Sequence, residues 1–359
     1  MIEALKIGGI HIPVPVIQGG MGVGISLSGL AVAVANEGGV GVISAAGLGF
    51  VHRVPALDYL QANIEGLKKE IRKAREQTKG VIGVNIMVAM SNFADLVRTS
   101  IEEKIDIIFS GAGLPFELPK FLKPGSKTKL VPIVSSGRAA RIICEKWKSN
   151  HNYLPDAFVV EGPRAGGHLG FKKENIDDTH YALEELIPEV LKEVKLFEDR
   201  YHCEIPVIAA GGIYTGKDIY HIMQKGARGV QLGTRFVTTV ECDASPRFKQ
   251  TYIDASEADM EIIQSPVGMP GRAIHNQFLD KVKKGLKIPL RCPFHCIKTC
   301  DVSSSPYCIV TALYNAYKGN MKNGYAFAGA NAYLATKIST VKEVFRELVD
   351  EWQAARSIS

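Results

Sequence analysis

A histidine surrounded by glycines is the first candidate for chemistry in this sequence. His168 lies in the stretch 166–170 (GGHLG), four residues after the apolar run 157–161. Glycines let a ligand approach the backbone, and a side chain at the end of a buried strand can project into a site. The ordinary pKa of histidine suits a general base near neutral pH. A structural, hydrogen-bonding histidine is the alternative, but the glycines and the strand-end position favour catalysis.

A cluster of cysteines is the second candidate. Cys292, Cys296, Cys300 and Cys308 fall within 17 residues, whereas the other three cysteines are scattered. Four thiolates suit a [4Fe–4S] cluster or a structural zinc ion, and free thiols are the third alternative. Zinc sites usually pair cysteines as C-x₂₋₄-C, so this three-plus-one spacing favours iron–sulfur. No signal peptide opens the sequence, so we expect no disulfide framework.

Two neighbouring glycine-rich segments indicate a phosphate site. Gly211 and Gly212 follow one apolar run, and Gly233 and Thr234 follow the next. In barrels, the loops after the seventh and eighth strands commonly hold a phosphate through backbone N–H groups. The sequence therefore predicts a phosphorylated cofactor. No GxGxxG motif opens a βα unit, so a Rossmann site is not expected.

Eight short apolar runs alternate with segments of helical period along the first two thirds of the chain. The runs are rich in Val and Ile, which is typical of parallel strands buried on both faces. Eight β-then-α units predict an α/β fold of the (β/α)₈ TIM barrel type. The runs are 14–18, 39–44, 81–86, 105–110, 130–135, 157–161, 205–210 and 229–232, with helices predicted over 27–36, 57–76, 92–103, 138–149, 181–195 and 217–225.

The pattern changes after Arg235 and predicts a smaller, mostly helical lid domain. Residues 241–265 resemble one or two helices, 278–286 another, and the cysteines follow. We assign 241–320 to the lid, and 1–240 with 321–359 to the barrel. The final amphipathic helix, 339–356, is expected to pack on the outer ring of the barrel.

Composition sets the broad class of the protein. The 359 residues include 43 Lys plus Arg and 37 Asp plus Glu, a net charge of +6, and 46% are hydrophobic. These are values of an ordinary globular chain and argue against disorder. The positive charge is spread out, so nucleic-acid binding is not expected. No unbroken apolar span is long enough to cross a bilayer. We expect a cytoplasmic protein without membrane association.

Four motifs carry a family resemblance: IQGGMG at 17–22, GVNIM at 83–87, GGH at 166–168 and AAGGI at 209–213. Together they resemble the nitronate monooxygenase (2-nitropropane dioxygenase) family, which includes flavin-dependent enoyl-acyl-carrier-protein reductases. The resemblance implies FMN in a TIM barrel, with His168 as the catalytic histidine. The implied FMN contacts are Gly20, Met21, Gly22, Asn85, Ser135, Glu161, Gly166 and Gly167, with Gly211, Gly212, Gly233 and Thr234 at the phosphate.

The cysteine segment is similar to a smaller branch of this family. SPVG at 265–268, RAI at 272–274 and FAGAN at 327–331 also resemble that branch. It is typified by a dehydrogenase/isomerase of unsaturated fatty acid synthesis that carries FMN and a [4Fe–4S] cluster and acts on acyl-acyl-carrier-protein. The resemblance therefore favours iron–sulfur at Cys292, Cys296, Cys300 and Cys308.

The leading functional hypothesis is an FMN-dependent oxidoreductase of acyl thioesters. His168 removes a Cα proton while the flavin accepts the Cβ hydride. The alternatives are an NAD(P)H-dependent enoyl-acyl-carrier-protein reductase, a nitronate monooxygenase, or, in a different class, a redox sensor. The expected partner is acyl-carrier protein or another acyl thioester, with Lys283, Lys284 and Arg291 as candidates for its docking. The family often forms dimers, so a homodimer is expected from the resemblance alone.

Overall fold

Eight parallel strands close into a barrel that forms the body of the fold. The computed structural model describes residues 2–53, 57–285, 292 and 294–358. A hairpin of β1 (Leu5–Ile7) and β2 (Ile10–Ile12) precedes the barrel. Each of the eight apolar runs overlaps one barrel strand, so the predicted TIM barrel is confirmed. The barrel strands are β3 (Val16–Gln18), β4 (Val40–Ser44), β5 (Val81–Met87), β6 (Ile107–Gly111), β7 (Lys129–Val134), β8 (Phe158–Glu161), β10 (Val207–Ala210) and β11 (Gly229–Leu232), with β11 pairing β3 to close the ring.

The apolar sequences of the strands suit a barrel in which both faces of each strand are buried. Every residue of β4 and β6 is buried, because one face packs on the surrounding helices and the other fills the barrel interior. Val42 and Phe109 belong to the interior cluster. Leu5 and Ile7 of the hairpin join the same cluster and close the end of the barrel where the strands begin. This leaves the opposite end, where the strands finish, to build a site.

Twelve α-helices occur among the described residues, and most surround the barrel. They are α1 (Ser28–Asn36), α2 (Leu48–His52), α3 (Tyr59–Gln77), α4 (Phe93–Glu102), α5 (Gly137–His151), α6 (Leu183–Tyr201), α7 (Gly216–Gln224), α8 (Thr234–Val237), α9 (Pro246–Ile253), α10 (Gln277–Lys283), α11 (Ile309–Tyr317) and α12 (Val341–Ile358). The six helices predicted between the runs are present, whereas the short helices α2, α8 and α11 are additional. Ser136 caps α5, and Thr215 with Asp218 forms a capping box on α7, so these helices begin where the strand-end loops turn.

A three-stranded antiparallel sheet covers the open end of the barrel. It consists of β12 (Met260–Gln264), β13 (Pro270–Ile274) and β9 (Gly167–His168). The prediction of helices throughout 241–265 is therefore wrong in its second half, where α9 gives way to β12. The reason is non-local: β12 finds its partner in β13, and β13 pairs in turn with the loop after β8.

The remaining predictions for this region have mixed outcomes. The helix predicted over 278–286 begins one residue earlier and ends at Lys283, and residues 286–291 lie outside the described part of the chain. The C-terminal helix α12 is confirmed and packs against α7, where the Gly216 N–H donates to Glu351 Oε2 at 2.6 Å. The boundaries of the lid, 241–320, stay a prediction. No helix within the described ranges is long and apolar enough to span a membrane.

Candidate active site

A cavity opens where the barrel strands end and the covering sheet begins. Its wall is formed by the loops after the strands, by α11 and by the segment 325–329. His168 lies in this wall, as do eleven of the twelve predicted FMN contacts. These contacts are Gly20, Met21, Gly22, Asn85, Glu161, Gly166, Gly167, Gly211, Gly212, Gly233 and Thr234.

The glycines of the cavity wall fall into two groups, which differ in how much space a side chain would find at each position. A Cβ on Gly166 would lie 2.5 Å from the backbone of Ala328, so close packing of two chain segments requires this glycine. Above Gly167, by contrast, a Cβ would meet nothing within 4 Å, and above Gly233 it would meet only the Met21 side chain, at 3.5 Å or more. Backbone is therefore open to the cavity at these two positions, where a ligand can approach it closely.

Two polar side chains in the wall were not singled out by the sequence. Gln231, in the last barrel strand, is 9% exposed, and its Oε1 has no hydrogen-bond partner among the described residues. A buried carbonyl oxygen without a partner indicates a missing donor. Arg164 is exposed and also lines the cavity, where its guanidinium can meet an anion. Both residues are close in sequence to predicted contacts, but only the three-dimensional structure shows that they line the cavity.

The C-terminal segment 327–331 closes the predicted phosphate end of the cavity. The Gly329 N–H donates to Thr234 Oγ1 at 2.9 Å. Asn331 Nδ2 donates to the Gly212 carbonyl at 2.6 Å, and Arg164 Nη2 donates to Asn331 Oδ1 at 2.8 Å. These bonds join both predicted phosphate loops to one covering segment, and they hold a cation next to them.

His168 is fixed by contacts on several sides. It pairs with Gly271 where β9 meets β13, and its Nε2 lies 2.7 Å from Ser265 Oγ. The Phe327 ring makes an edge contact at 5.0 Å between centroids. Burial lowers the pKa of His168 to about 4, so the imidazole is neutral at neutral pH.

Arg272 holds the loop that carries His168. Its guanidinium is 7% exposed and donates from Nη1 to the carbonyls of Pro163 and Ala165, at 2.6 and 3.3 Å. Since both acceptors lie in the loop after β8, Arg272 ties this loop to the covering sheet.

The match to known proteins extends over the whole fold. The sequence model of the family described as nitronate monooxygenase matches residues 3–351. The chain belongs to the nitronate monooxygenase family. A probable nitronate monooxygenase of Staphylococcus haemolyticus is 27% identical over 305 residues, covering 77% of this chain and 79% of that protein. FabK from Thermotoga maritima superimposes with a TM-score of 0.73 at 28% identity, covering 96% of this chain and 94% of that one.

A third relative carries out dehydrogenation according to its name. It is the (3aS,4S,5R,7aS)-5-hydroxy-7a-methyl-1-oxo-octahydro-1H-indene-4-carboxyl-CoA dehydrogenase of Mycobacterium tuberculosis, 29% identical over 271 residues, which cover 76% of this chain and 66% of that protein. The family resemblance predicted from the motifs is confirmed, and the protein is an FMN-dependent oxidoreductase.

The residues of the cavity fit FMN. The open backbone at Gly167 and Gly233 admits a flat ligand, and the Gln231 carbonyl offers an acceptor for the N–H of a flavin ring. Arg164 and Thr234 both hydrogen-bond to the segment 329–331, where a phosphate would find cationic and hydroxyl donors. The individual contacts stay predictions.

Glu161 supplies a second titratable group in the wall of the cavity. It ends β8 and has no charged partner among the described residues, and burial raises its pKa to about 7. Protonated and ionised forms therefore coexist at neutral pH.

Ser135 is the one predicted FMN contact that does not line the cavity. It follows β7 and lies beside Gly170, where an added Cβ would be 2.5 Å from the serine Oγ. Its position at a strand end was correctly predicted, but the His168 loop lies over it.

One part of the cavity wall, called here the apolar arm, is formed by apolar side chains and adjoins His168. Aromatic and aliphatic side chains of α9, α11 and the C-terminal segment form it, and Phe327 connects it to the histidine. The Tyr252 hydroxyl donates to the Phe327 carbonyl, which fixes this connection. The arm is lined by Ile25, Phe248, Tyr252, Leu313, Tyr325 and Phe327.

The cysteine segment packs beside the cavity and outside its wall. The Ser91 N–H donates to the Cys296 carbonyl, the Lys298 N–H donates to the Ala89 carbonyl, and the Phe294 ring contacts Phe50 at 4.7 Å between centroids. These contacts place the segment against the loop after β5 and against α2.

The four predicted metal ligands lie near one another. Burial raises the pKa of Cys296 to about 12, and the charges of Cys308, Cys292 and Cys300 contribute to this rise. Yet no group of three or more His, Cys, Asp or Glu among the described residues is arranged to hold a metal ion. As placed, the thiols do not fit a [4Fe–4S] cluster, so no step of the reaction is derived through one.

Proposed function

We propose that the protein oxidises acyl thioesters, as a dehydrogenase or dehydrogenase/isomerase of fatty acyl chains. The observation that carries this proposal is the apolar arm, the apolar part of the cavity wall that adjoins His168 through Phe327. A fatty acyl chain needs such an arm, whereas a small nitroalkane does not. The thioester dehydrogenase among the relatives supports the same substrate class.

In this proposal, His168 is the general base. It takes the Cα proton of the acyl chain, and its neutral state at neutral pH keeps a lone pair available. FMN, when bound, supplies the acceptor for the Cβ hydride. Phe327 makes an edge contact with the histidine ring, and the open backbone at Gly167 lets the thioester approach the chain closely.

An enoyl-acyl-carrier-protein reductase is the second candidate. The similarity to FabK, an enoyl-acyl-carrier-protein reductase, favours it. The same cavity would then bind the unsaturated thioester, and NAD(P)H would supply the hydride. Nitronate monooxygenase activity is the third candidate, from the family match.

An anaerobic comparison of substrates tests the proposal. FMN-loaded protein is mixed separately with a saturated acyl thioester, with an enoyl thioester plus NADPH, and with a nitroalkane. We expect the saturated thioester alone to bleach the flavin absorbance. Bleaching by NADPH that an enoyl thioester reverses would identify a reductase. Bleaching by the nitroalkane alone would identify a nitronate monooxygenase, and both results would contradict the proposal.

For the cysteine segment, we propose a [4Fe–4S] cluster on Cys292, Cys296, Cys300 and Cys308. Support comes from the proximity of the four thiols and from the family branch that the segment resembles. Binding would require the segment to rearrange, because no group of three or more potential ligands among the described residues is arranged to hold a metal ion. Iron and sulfide analysis of protein purified without oxygen tests this, and we expect four of each per chain. One zinc per chain, or no metal, would contradict it.

Acyl-carrier protein is the proposed carrier of the substrate. Lys284 is exposed at the end of α10 and stays a candidate for its docking, whereas Lys283 is paired with Glu261. Arg291 lies outside the described residues. A homodimer and a cytoplasmic location also stay predictions.

A further inference from the structure

We infer that Ser265 is a positioning residue for His168, and that the cysteine segment holds Ser265 in place. The inference rests on the proposed function, in which His168 is the general base. It concerns which ring nitrogen carries the proton and what keeps it there.

The contact between Ser265 and His168 is built by the covering sheet. Ser265 lies in the turn between β12 and β13, 97 positions from His168 in sequence, and it is 3% exposed. The turn is closed by the Ser265 N–H donating to the Met269 carbonyl and by the Gly268 N–H donating to the Ser265 carbonyl. Because β13 also pairs with β9, the serine and the histidine are held at a fixed distance of 2.7 Å.

The contact alone does not assign the tautomer, because Ser265 Oγ can either accept from Nε2 or donate to it; the role of general base assigns it. Nε2 is engaged by Ser265, so the lone pair that accepts a proton must be on the other ring nitrogen, Nδ1. Nε2 then carries the hydrogen and donates to Ser265 Oγ. A hydroxyl oxygen can accept two hydrogen bonds, and the Val267 N–H donates the second, at 3.3 Å. When Nδ1 takes the substrate proton, the ring becomes cationic and the bond from Nε2 to Oγ strengthens.

The cysteine segment supports this turn from the other side. Thr299 Oγ1 donates to the Val267 carbonyl at 2.9 Å, and Thr299 is the residue before Cys300. Val267 therefore connects the cysteine segment to Ser265 through two hydrogen bonds, one from its N–H and one to its carbonyl. We therefore infer that the cysteine segment affects His168 by holding the turn that carries Ser265 in place.

The test combines kinetics with a direct measurement of the tautomer. FMN-loaded protein with ¹⁵N-labelled histidine is compared with the variants Ser265→Ala, Thr299→Val and, as a control, Ser149→Ala at an exposed position on α5. We expect the wild type to show His168 protonated on Nε2, and Ser265→Ala to show both tautomers. We expect Ser265→Ala to lower kcat about tenfold with KM unchanged, Thr299→Val to lower it about twofold, and the control to change neither.

The outcomes separate this inference from the proposed function. A wild-type His168 protonated on Nδ1, or a Ser265→Ala variant with the wild-type tautomer, would overturn the inference. Ser265→Thr keeps the hydroxyl, and rescue of both tautomer and kcat would support it even where Ser265→Ala folds poorly. Full turnover in His168→Ala would refute the general base and so the proposed function, whereas the NMR result on Ser265 would still decide whether the serine sets the tautomer.

Discussion

Glu161 should lower the stability of the flavin-free protein as the pH rises, and Glu161→Gln should remove this contribution. Burial in the cavity wall raises the pKa of this carboxyl from 4.5 to about 7. The folded chain therefore holds a proton that the unfolded chain releases above pH 4.5. Stability from the neutral carboxyl is fully present below pH 4.5 and is lost as the pH rises through about 7.

The size of the effect follows from the two pKa values. Each pKa unit corresponds to about 1.4 kcal/mol, so ionising Glu161 in the folded protein costs up to about 3 kcal/mol. Between pH 5 and pH 8, the wild type should lose about 2 kcal/mol through this group. Glutamine has nearly the same shape and does not titrate, so the variant should not show this loss.

Urea unfolding of both proteins at pH 5 and pH 8 measures the difference. The control is Glu174→Gln, which changes an exposed carboxylate outside the cavity wall and should follow the wild type. If wild type and Glu161→Gln change in parallel between the two pH values, the carboxyl is ordinarily ionised and the argument from burial is wrong.

Three further predictions concern the cavity and the loop above it. Gly233→Ala should weaken FMN binding at least about tenfold in a fluorescence titration, with thermal stability of the flavin-free protein unchanged, because the added methyl group projects toward the cavity and meets only the Met21 side chain, in ordinary contact at 3.5 Å. Arg272→Met should destabilise the protein by about 2–3 kcal/mol in urea unfolding, because two buried carbonyls lose their donor. The acid limb of kcat/KM should lie below about pH 5, because burial lowers the pKa of His168 to about 4 and the base is lost only when it is protonated.

The barrel is predictable from the sequence because its signal is local. Strands such as 40–44 and 107–111 are buried on both faces, and their Val and Ile runs stand out from the helical segments between them. Parallel strands bring their ends together, so the sequence alone assigns the glycines that follow them to one site.

The antiparallel sheet that covers the site is not predictable in the same way, because its strands pair with segments that are distant in sequence. The sequence pattern of Met260–Gln264 indicates helix, yet the segment forms a strand because its partner Pro270–Ile274 also pairs with a two-residue strand about a hundred positions earlier. The contact between Ser265 and His168 depends on that pairing. Gln231 stands within a motif that the sequence shows, but the direction of its side chain is a property of the closed barrel.

The proton-accepting role of His168 is the central claim, and anaerobic reduction of bound FMN by a saturated acyl thioester tests it most directly. Wild type and His168→Ala are compared in a stopped-flow spectrometer at equal flavin content, which controls for the integrity of the cavity. Loss of a positioned general base typically costs a factor of about 10² to 10⁴, so flavin bleaching should be at least about a hundredfold slower in the variant. Bleaching at the wild-type rate would contradict the assignment of His168 as the base.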